Sequence, residues 1–363
     1  MSAKESARRG NPLTNWMDNY KNLEGRDKAR WWGNFFINNA LYIVLIILIV
    51  IVTVQKPEFL RLRPMLDILQ RSASGLVMAL GIAGCIVLTG TDLSAGRVLG
   101  LTACVSASLL QSNDYGSKMF PGMPKWPTVF VFLLVIAIGA LVGLVNGFFV
   151  SKFSLHPFIV SLATQLMVYG TILIYVNQGT NAGKPISGID KGYSEFIKGS
   201  VIPESWKTPI PHFVWYAIIL TVIMWFIWNK TTFGKNMYAV GSNPEAANVS
   251  GVNVALTITL VFVLAGIMYG VSGFIEAARI GSNSASTGLN AELDAIAACV
   301  IGGVSFTGGV GRISGVVVGV ILLNMISVAL QWLAVSADWT YIIKGVIILA
   351  AVSIDMQKYL VKK

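Results

Sequence analysis

The chain has 363 residues, of which 55% are hydrophobic and only 12% charged, with a mean hydropathy of +0.68 and a formal net charge of +10. A soluble domain of this length carries about twice that charged fraction, so a water-soluble globular fold is excluded, and continuous rather than alternating apolar runs exclude a transmembrane β-barrel. The basic residues lie mostly in tails and loops, where they anchor and orient helices, so the charge is not a nucleic-acid footprint.

The pattern predicts an all-α polytopic membrane protein. Residues 1–34 form a polar tail with seven Lys/Arg, and its Trp16, Tyr20, Trp31 and Trp32 suit a membrane surface. No cleavable signal is expected, because the apolar run that follows continues for a full span. A bilayer core needs roughly 20 apolar residues per helix. Ten spans near that length are predicted at 35–54, 65–89, 97–111, 127–151, 158–176, 212–228, 255–278, 292–306, 313–333 and 339–355. The organisation is therefore a tail at 1–34, a transmembrane domain at 35–357 and a second tail at 358–363. An even number of spans returns both termini to one side, and the Lys/Arg balance puts that side in the cytoplasm. The connector at 229–254 is then cytoplasmic and the loop at 177–211 external.

Two spans are interrupted by glycine-rich runs, Gly90–Arg97 and Gly302–Gly311. Broken segments in both halves of a membrane chain point to a transport path, because irregular backbone survives at membrane depth only when buried in protein or lining a wet cavity. Gly96-Arg97-Val98-Leu99-Gly100 matches Gly311-Arg312-Ile313-Ser314-Gly315, an internal repeat whose sense, parallel or inverted, the sequence leaves open. Gly139, Gly143 and Gly147 recur every four residues, as do Gly311, Gly315 and Gly319, which predicts close helix packing inside the chain. Cys85, Cys104 and Cys299 fall in apolar runs and read as small buried hydrophobes, with no disulfide or metal role. His156 and His212 each adjoin a proline near a helix end, and read as capping or interfacial residues.

The connector carries the most informative segment, Gly241-Ser242-Asn243-Pro244-Glu245-Ala246-Ala247-Asn248-Val249-Ser250-Gly251. Asn243 caps a predicted short helix, Pro244 and Glu245 suit its first turn, Ala246 and Ala247 favour it, and Gly251 ends it. A polar, helix-capable insert between apolar runs looks made to be gripped by a soluble partner.

Ionisable and polar groups inside apolar spans are candidates for the path, since a charge at a helix centre costs roughly 2.5–3.5 kcal/mol on insertion scales. Asp92, Ser94 and Arg97 flank the first break, where Asp92 and Ser94 either cap the next half-helix or face the path. Asn146 and Gln165 either join helices or touch solute. Glu276 and Arg279 stand at i,i+3 spacing, which suits a salt bridge as well as solute contact. Glu292 and Asp294 either cap the eighth span or gate it, and Lys344 either snorkels or pairs with a carboxylate.

Glu245-Ala246-Ala247-x-x-x-Gly251 resembles the coupling-helix motif of bacterial ATP-binding-cassette importer permeases. Thr89-Gly90-Thr91-Asp92-Leu93-Ser94-Ala95-Gly96 resembles the signature of their ribose/galactose (branched, binding-protein-dependent) family. The stretches Gly241–Val254, Glu276–Ser282, Glu292–Gly311 and Tyr341–Ile347 are similar to its galactose/methyl-galactoside branch. The likeness runs from about residue 40 to the end and is least in residues 1–34 and 177–211. It implies a permease homodimer in the bacterial inner membrane, working by alternating access with two cytoplasmic ATPase subunits and a periplasmic or lipoprotein sugar-binding protein. The chain has no Gly-x-x-x-x-Gly-Lys-Ser/Thr phosphate loop, so it is expected to hold no cofactor and to be no enzyme by itself; ATP and Mg belong to the partner ATPase. Permeases for ribose, nucleosides or other solutes share the scaffold. An ion-coupled secondary transporter would need a core carboxylate, for which Asp92 is the one fair candidate. A membrane-embedded enzyme lacks a metal-ligand cluster or nucleophile pair.

Overall fold

The computed structural model describes residues 40–200 and 210–360. The tail at 1–34 with its aromatic residues, the start of the first span at 35–39, loop residues 201–209 and the last residues 361–363 lie outside the described residues. Among the described residues thirteen α-helices follow one another: α1 (Ala40–Gln55), α2 (Leu62–Val87), α3 (Ala95–Leu109), α4 (Thr128–Phe153), α5 (Pro157–Val176), α6 (Lys191–Lys198), α7 (His212–Lys230), α8 (Thr232–Ser242), α9 (Pro244–Val249), α10 (Val254–Ile280), α11 (Ala291–Ile301), α12 (Ile313–Trp332) and α13 (Ala337–Leu360). All ten predicted spans coincide with helices. Six of them, α2, α4, α5, α7, α10 and α12, are long and apolar enough to cross a membrane.

The glycine-broken spans are short, and α11 is shorter than predicted. At about 1.5 Å per residue the 15 residues of α3 and the 11 of α11 cover only part of a hydrocarbon core roughly 30 Å thick. Helix α11 stops at Ile301, so 302–306 is irregular chain rather than the end of a span. Two further helices were not predicted. The connector holds α8 as well as the expected α9, and the loop at 177–211 holds α6.

Helices α2 and α10 form the centre. The most apolar window of α2 is 78% buried within the chain against 22% for α4, which turns most of its circumference outward. Helix α10 packs on α4, α3 and α2, and α2 also packs on α12 and α11. The α4–α10 contact is a seam of bare backbone. Gly139 faces the Gly266 carbonyl, Gly143 the Phe262 carbonyl and Gly147 the Cα of Thr259, so the two helices cross antiparallel in close backbone contact at these positions. The second stripe does the same between α12 and α11, where Gly315 meets Gly302 and Gly319 meets the Ala298 carbonyl.

The chain has two distinct ends. At the connector face the last turn of α2, the second break and α8 meet. At the opposite, loop face, isolated bridges pair Gln111 with Ile189, Ile186 with Asn283 and Ser200 with Pro211. Helix α6 lies here, capped by Asp190, which accepts from the Tyr193 N–H at 3.2 Å. Tyr193 is buried and donates its hydroxyl proton to the Phe274 carbonyl, which ties the loop to α10. Partial burial raises the affinity of the Asp190 carboxyl for its proton, but the Lys125 ammonium at 2.9 Å and the Tyr193 N–H outweigh it and hold the group below the usual carboxylate range. Helices α3 and α12 both leave their breaks toward the loop face, so the matched glycine segments run in the same sense.

Substituting Gly143→Val puts a branched side chain against the Phe262 carbonyl. The cost expected is about 1–3 kcal/mol of overpacking, read as a lower melting temperature of the detergent-solubilised protein. The same change at Gly170, where a Cβ meets nothing within 4 Å, is expected to leave melting nearly unchanged.

Candidate functional site

A cavity of about 1230 Å³ opens at the loop face between α2, α10, α11, α12 and α13. Its walls carry three ion pairs. Arg71 Nε lies 3.1 Å from Asp67 Oδ2, one helical turn away on α2. Arg279 holds both carboxylate oxygens of Glu276 at 2.6 Å, and Ser74 donates to the same carboxylate at 2.6 Å across the cavity wall. Lys344 on α13 reaches Asp294 on α11 at 2.9 Å. Asn324, Ser327 and Gln331 line the cavity from one face of α12. Each of the three carboxylates is thus neutralised by a partner, and hydroxyl and amide groups stand between them. With Lys198 as a further cation, such a lining suits a hydrogen-bonding solute better than a cation or an apolar one. No group of three or more His, Cys, Asp or Glu that could hold a metal occurs among the described residues.

Of the residues singled out in the sequence, Glu276 and Asp294 line this cavity, with Arg279 and Lys344 as their partners. Asp92, Ser94 and Asn146 do not; they form a separate buried cluster. The Asp92 carboxylate accepts from the Ser94 N–H at 2.9 Å and the Ser94 hydroxyl at 2.6 Å. The Tyr269 hydroxyl donates to its other oxygen at 3.3 Å. Asn146 donates to Ser94 at 3.0 Å and accepts from Thr164 at 2.6 Å. All five side chains are under 5% exposed, and they join the first break to α4, α5 and α10. Ser94 occupies the N-cap position of α3 but its side chain caps nothing; Asp92 instead holds the turn that precedes the helix.

Arg97 and Gln165 border a second contact, between α3 and α11. The Arg97 guanidinium donates to the Ala285 carbonyl at 3.1 Å and lies 4.2 Å from the centre of the Tyr169 ring. Gln165 donates to Glu292 at 3.4 Å. Glu292 does not cap α11, whose N-cap is Asn290; its buried carboxylate folds against Gly96 in the first turn of α3. Only glycine leaves room for it there. His156 caps α5, accepting from the Phe158 N–H at 3.3 Å, and His212 opens α7. Cys85, Cys104 and Cys299 are free and buried.

At the connector face α9 is a projecting helix. Asn243 accepts from the Ala246 N–H at 2.9 Å, Pro244 takes the first helical position, and Gly251 follows with φ at +85°, a conformation that favours glycine. Ala247 alone is buried; Glu245, Ala246 and Asn248 are exposed, and Val249 is 90% exposed. An apolar side chain held clear of its own chain on a rigid, capped helix is suited to a partner's groove.

The sequence reading passed over Asp67, Gln70, Arg71, Ser74 and the Asn324–Ser327–Gln331 stripe. Both sets repeat at helical spacing inside apolar helices, so periodicity was the signal available.

Residues 65–352 match the family described as branched-chain amino acid transport system / permease component. The chain is 47% identical over 324 residues to the galactose/methyl galactoside import permease protein of Escherichia coli (strain K12), covering 89% of this chain and 95% of that protein. It is 48% identical over the same length to the Salmonella typhimurium protein of that name, with the same coverage. The ribose import permease protein of Escherichia coli (strain K12) is more distant, 34% identical over 316 residues, covering 87% of this chain and 92% of that protein. No solved structure matches the chain.

Asp92→Ala removes the acceptor that Ser94, Tyr269 and Asn146 share. Each buried donor left without a partner costs about 1–3 kcal/mol, so the variant is expected to melt well below the unmodified protein. Asp92→Asn, which keeps one carbonyl acceptor, is expected to fall between the two. Equal melting of all three forms would show that the cluster does not support the first break.

Proposed function

The chain belongs to the branched-chain amino acid transport system / permease component family, and from that premise we propose that it is the membrane-spanning subunit of an ATP-driven importer for a monosaccharide. Galactose, glucose and their methyl glycosides are the favoured solutes, because identity is higher to the galactose/methyl galactoside permeases than to the ribose permeases. The observation that carries the reading is the pairing of two features on opposite faces. A polar cavity whose carboxylates are each paired with a cation opens at one face, and an exposed, capped helix projects from the other.

In this reading the connector face is cytoplasmic and both termini lie on that side. The loop face is external, and a periplasmic or lipoprotein sugar-binding protein docks there and releases its sugar into the cavity. Two ATP-binding-cassette subunits bind ATP and Mg and grip α9, and a second copy of this chain completes the membrane part. Closure of the ATPase pair displaces α9, and the helices rock until the cavity opens on the other side. Affinity resides in the binding protein, so the cavity needs only weak, well-distributed hydrogen bonds. An ion-coupled mechanism finds no support in Asp92, whose carboxylate is enclosed by hydrogen-bonding side chains away from the cavity.

The experiment is uptake of labelled galactose into proteoliposomes holding this chain, its ATPase and its binding protein. Uptake is expected to require ATP and both partners; uptake by the chain alone along an ion gradient would overturn the reading. Glu245→Lys, on the exposed first turn of α9, is expected to abolish substrate-stimulated ATP hydrolysis while membrane insertion is unchanged. Normal transport by that variant would remove α9 as the site of coupling.

A further inference from the structure

The end of α2 and the second break are far apart in sequence, yet one turn of the connector touches both. The Val87 carbonyl stands in the last turn of α2, where the helix supplies no partner for it. The Gly309 N–H donates to it at 2.8 Å, joining the second break to the end of α2. Gly241, in the last turn of α8, lies against the same carbonyl. A Cβ there would collide with it and come within 2.9 Å of the Gly309 nitrogen. Gly308 has φ at +82° and presses on the Gly241 carbonyl and on the methyl of Thr89 in the first break. Ser242 packs on Gly309. The Tyr238 hydroxyl, one turn earlier, donates to the Gly311 carbonyl at 2.9 Å, just before α12 begins. Helix α9 starts two residues after Ser242, and the Asn243 N–H still bonds back to Ala239 at 3.0 Å, so α8 and α9 meet without a slack residue between them.

We propose that the last turn of α8, through Tyr238 and Gly241, is the point at which displacement of α9 is passed to the end of α2 and to the second break at once; this rests on the importer reading above. Contact between bare backbones has no side chain that can rotate to absorb a shift, so movement of one segment is handed to the next. The breaks lack continuous helical hydrogen bonding and are where φ and ψ can change, as hinges require. The first break carries α2, and the second carries α12. Those helices pack on each other and both line the cavity, with Ser74 on one and Asn324 on the other. A push on α8 therefore shifts two cavity-lining helices relative to each other. Tyr238 and Gly241 are positioning residues, since neither contacts the solute cavity.

The test uses the complete transporter, with ATPase and binding protein, carrying Gly241→Ala or Tyr238→Phe. Three quantities are read together: the amount of assembled complex, basal ATP hydrolysis, and sugar uptake per ATP hydrolysed. Both variants are expected to assemble and to keep basal hydrolysis. Uptake per ATP is expected to fall about tenfold or more for Gly241→Ala and by a smaller factor for Tyr238→Phe, within the range of coupling between linked sites. Uptake per ATP equal to the unmodified chain in Tyr238→Phe, together with either normal coupling or failed assembly in Gly241→Ala, would overturn the inference and leave the junction as packing alone. Failure of the importer reading has a separate signature, because the unmodified chain would then show no ATP-driven uptake.

Discussion

Backbone that leaves its helix inside a membrane must find hydrogen-bond partners in protein, because lipid supplies none. The architecture follows from how this chain meets that demand. At the second break the Gly309 N–H finds the orphan carbonyl of Val87, and the Ser305 N–H finds the Val310 carbonyl within the break itself. At the first, the N–H of Ser94 finds Asp92 and that of Leu93 finds Ser161. These contacts need close approach, and glycine at 241, 302, 308, 309 and 315 makes the approach possible. Closely packed interiors respond to strain by switching arrangement rather than stretching. A membrane core joined at bare-backbone contacts is accordingly suited to rocking between two states.

Polar groups in the core fall into two sets with different work. The Asp92 cluster is enclosed and saturated, and its partners come from four separate parts of the chain. It fixes the first break against α4, α5 and α10. The cavity carboxylates lie on an accessible wall, each paired with a cation, among alcohols and amides. The separation has a physical logic. A carboxylate that must hold several donors in place is a poor group to lend to a passing solute, whereas a paired carboxylate on an accessible wall can exchange one hydrogen bond for another at small cost.

Much of the fold was legible because lipid imposes length and hydrophobicity on each span, and every predicted run from 65–89 to 313–333 coincides with a helix. Helix α8 was not legible. Gly234 and Gly241 disfavour a helix, which is held by burial of Met237 and Val240 rather than by propensity. Helix α6 could have been found from Asp190 as a cap and from Tyr193 and Ile197 at i,i+4. At the site, the Glu276–Arg279 pair was readable because its partners are three residues apart. The Asp294–Lys344 pair spans fifty residues and needed the fold to join it. That α9 is a helix was readable from capping chemistry alone, but the attachment of the preceding turn to the end of α2 and to the second break was not, since Gly241, Val87 and Gly309 carry no side-chain signal of their contact.

In the importer reading the loop-face cavity is the solute's way in, and action at the connector face opens and closes it. Asn324 lies on its α12 wall, while the native Cys85, Cys104 and Cys299 are buried. The most direct measurement is labelling of Asn324→Cys by a membrane-impermeant maleimide applied to the loop face of the assembled transporter. The account expects labelling without nucleotide and strong protection when the ATPase is trapped with ATP. Equal labelling in the two states, with transport intact, would contradict it.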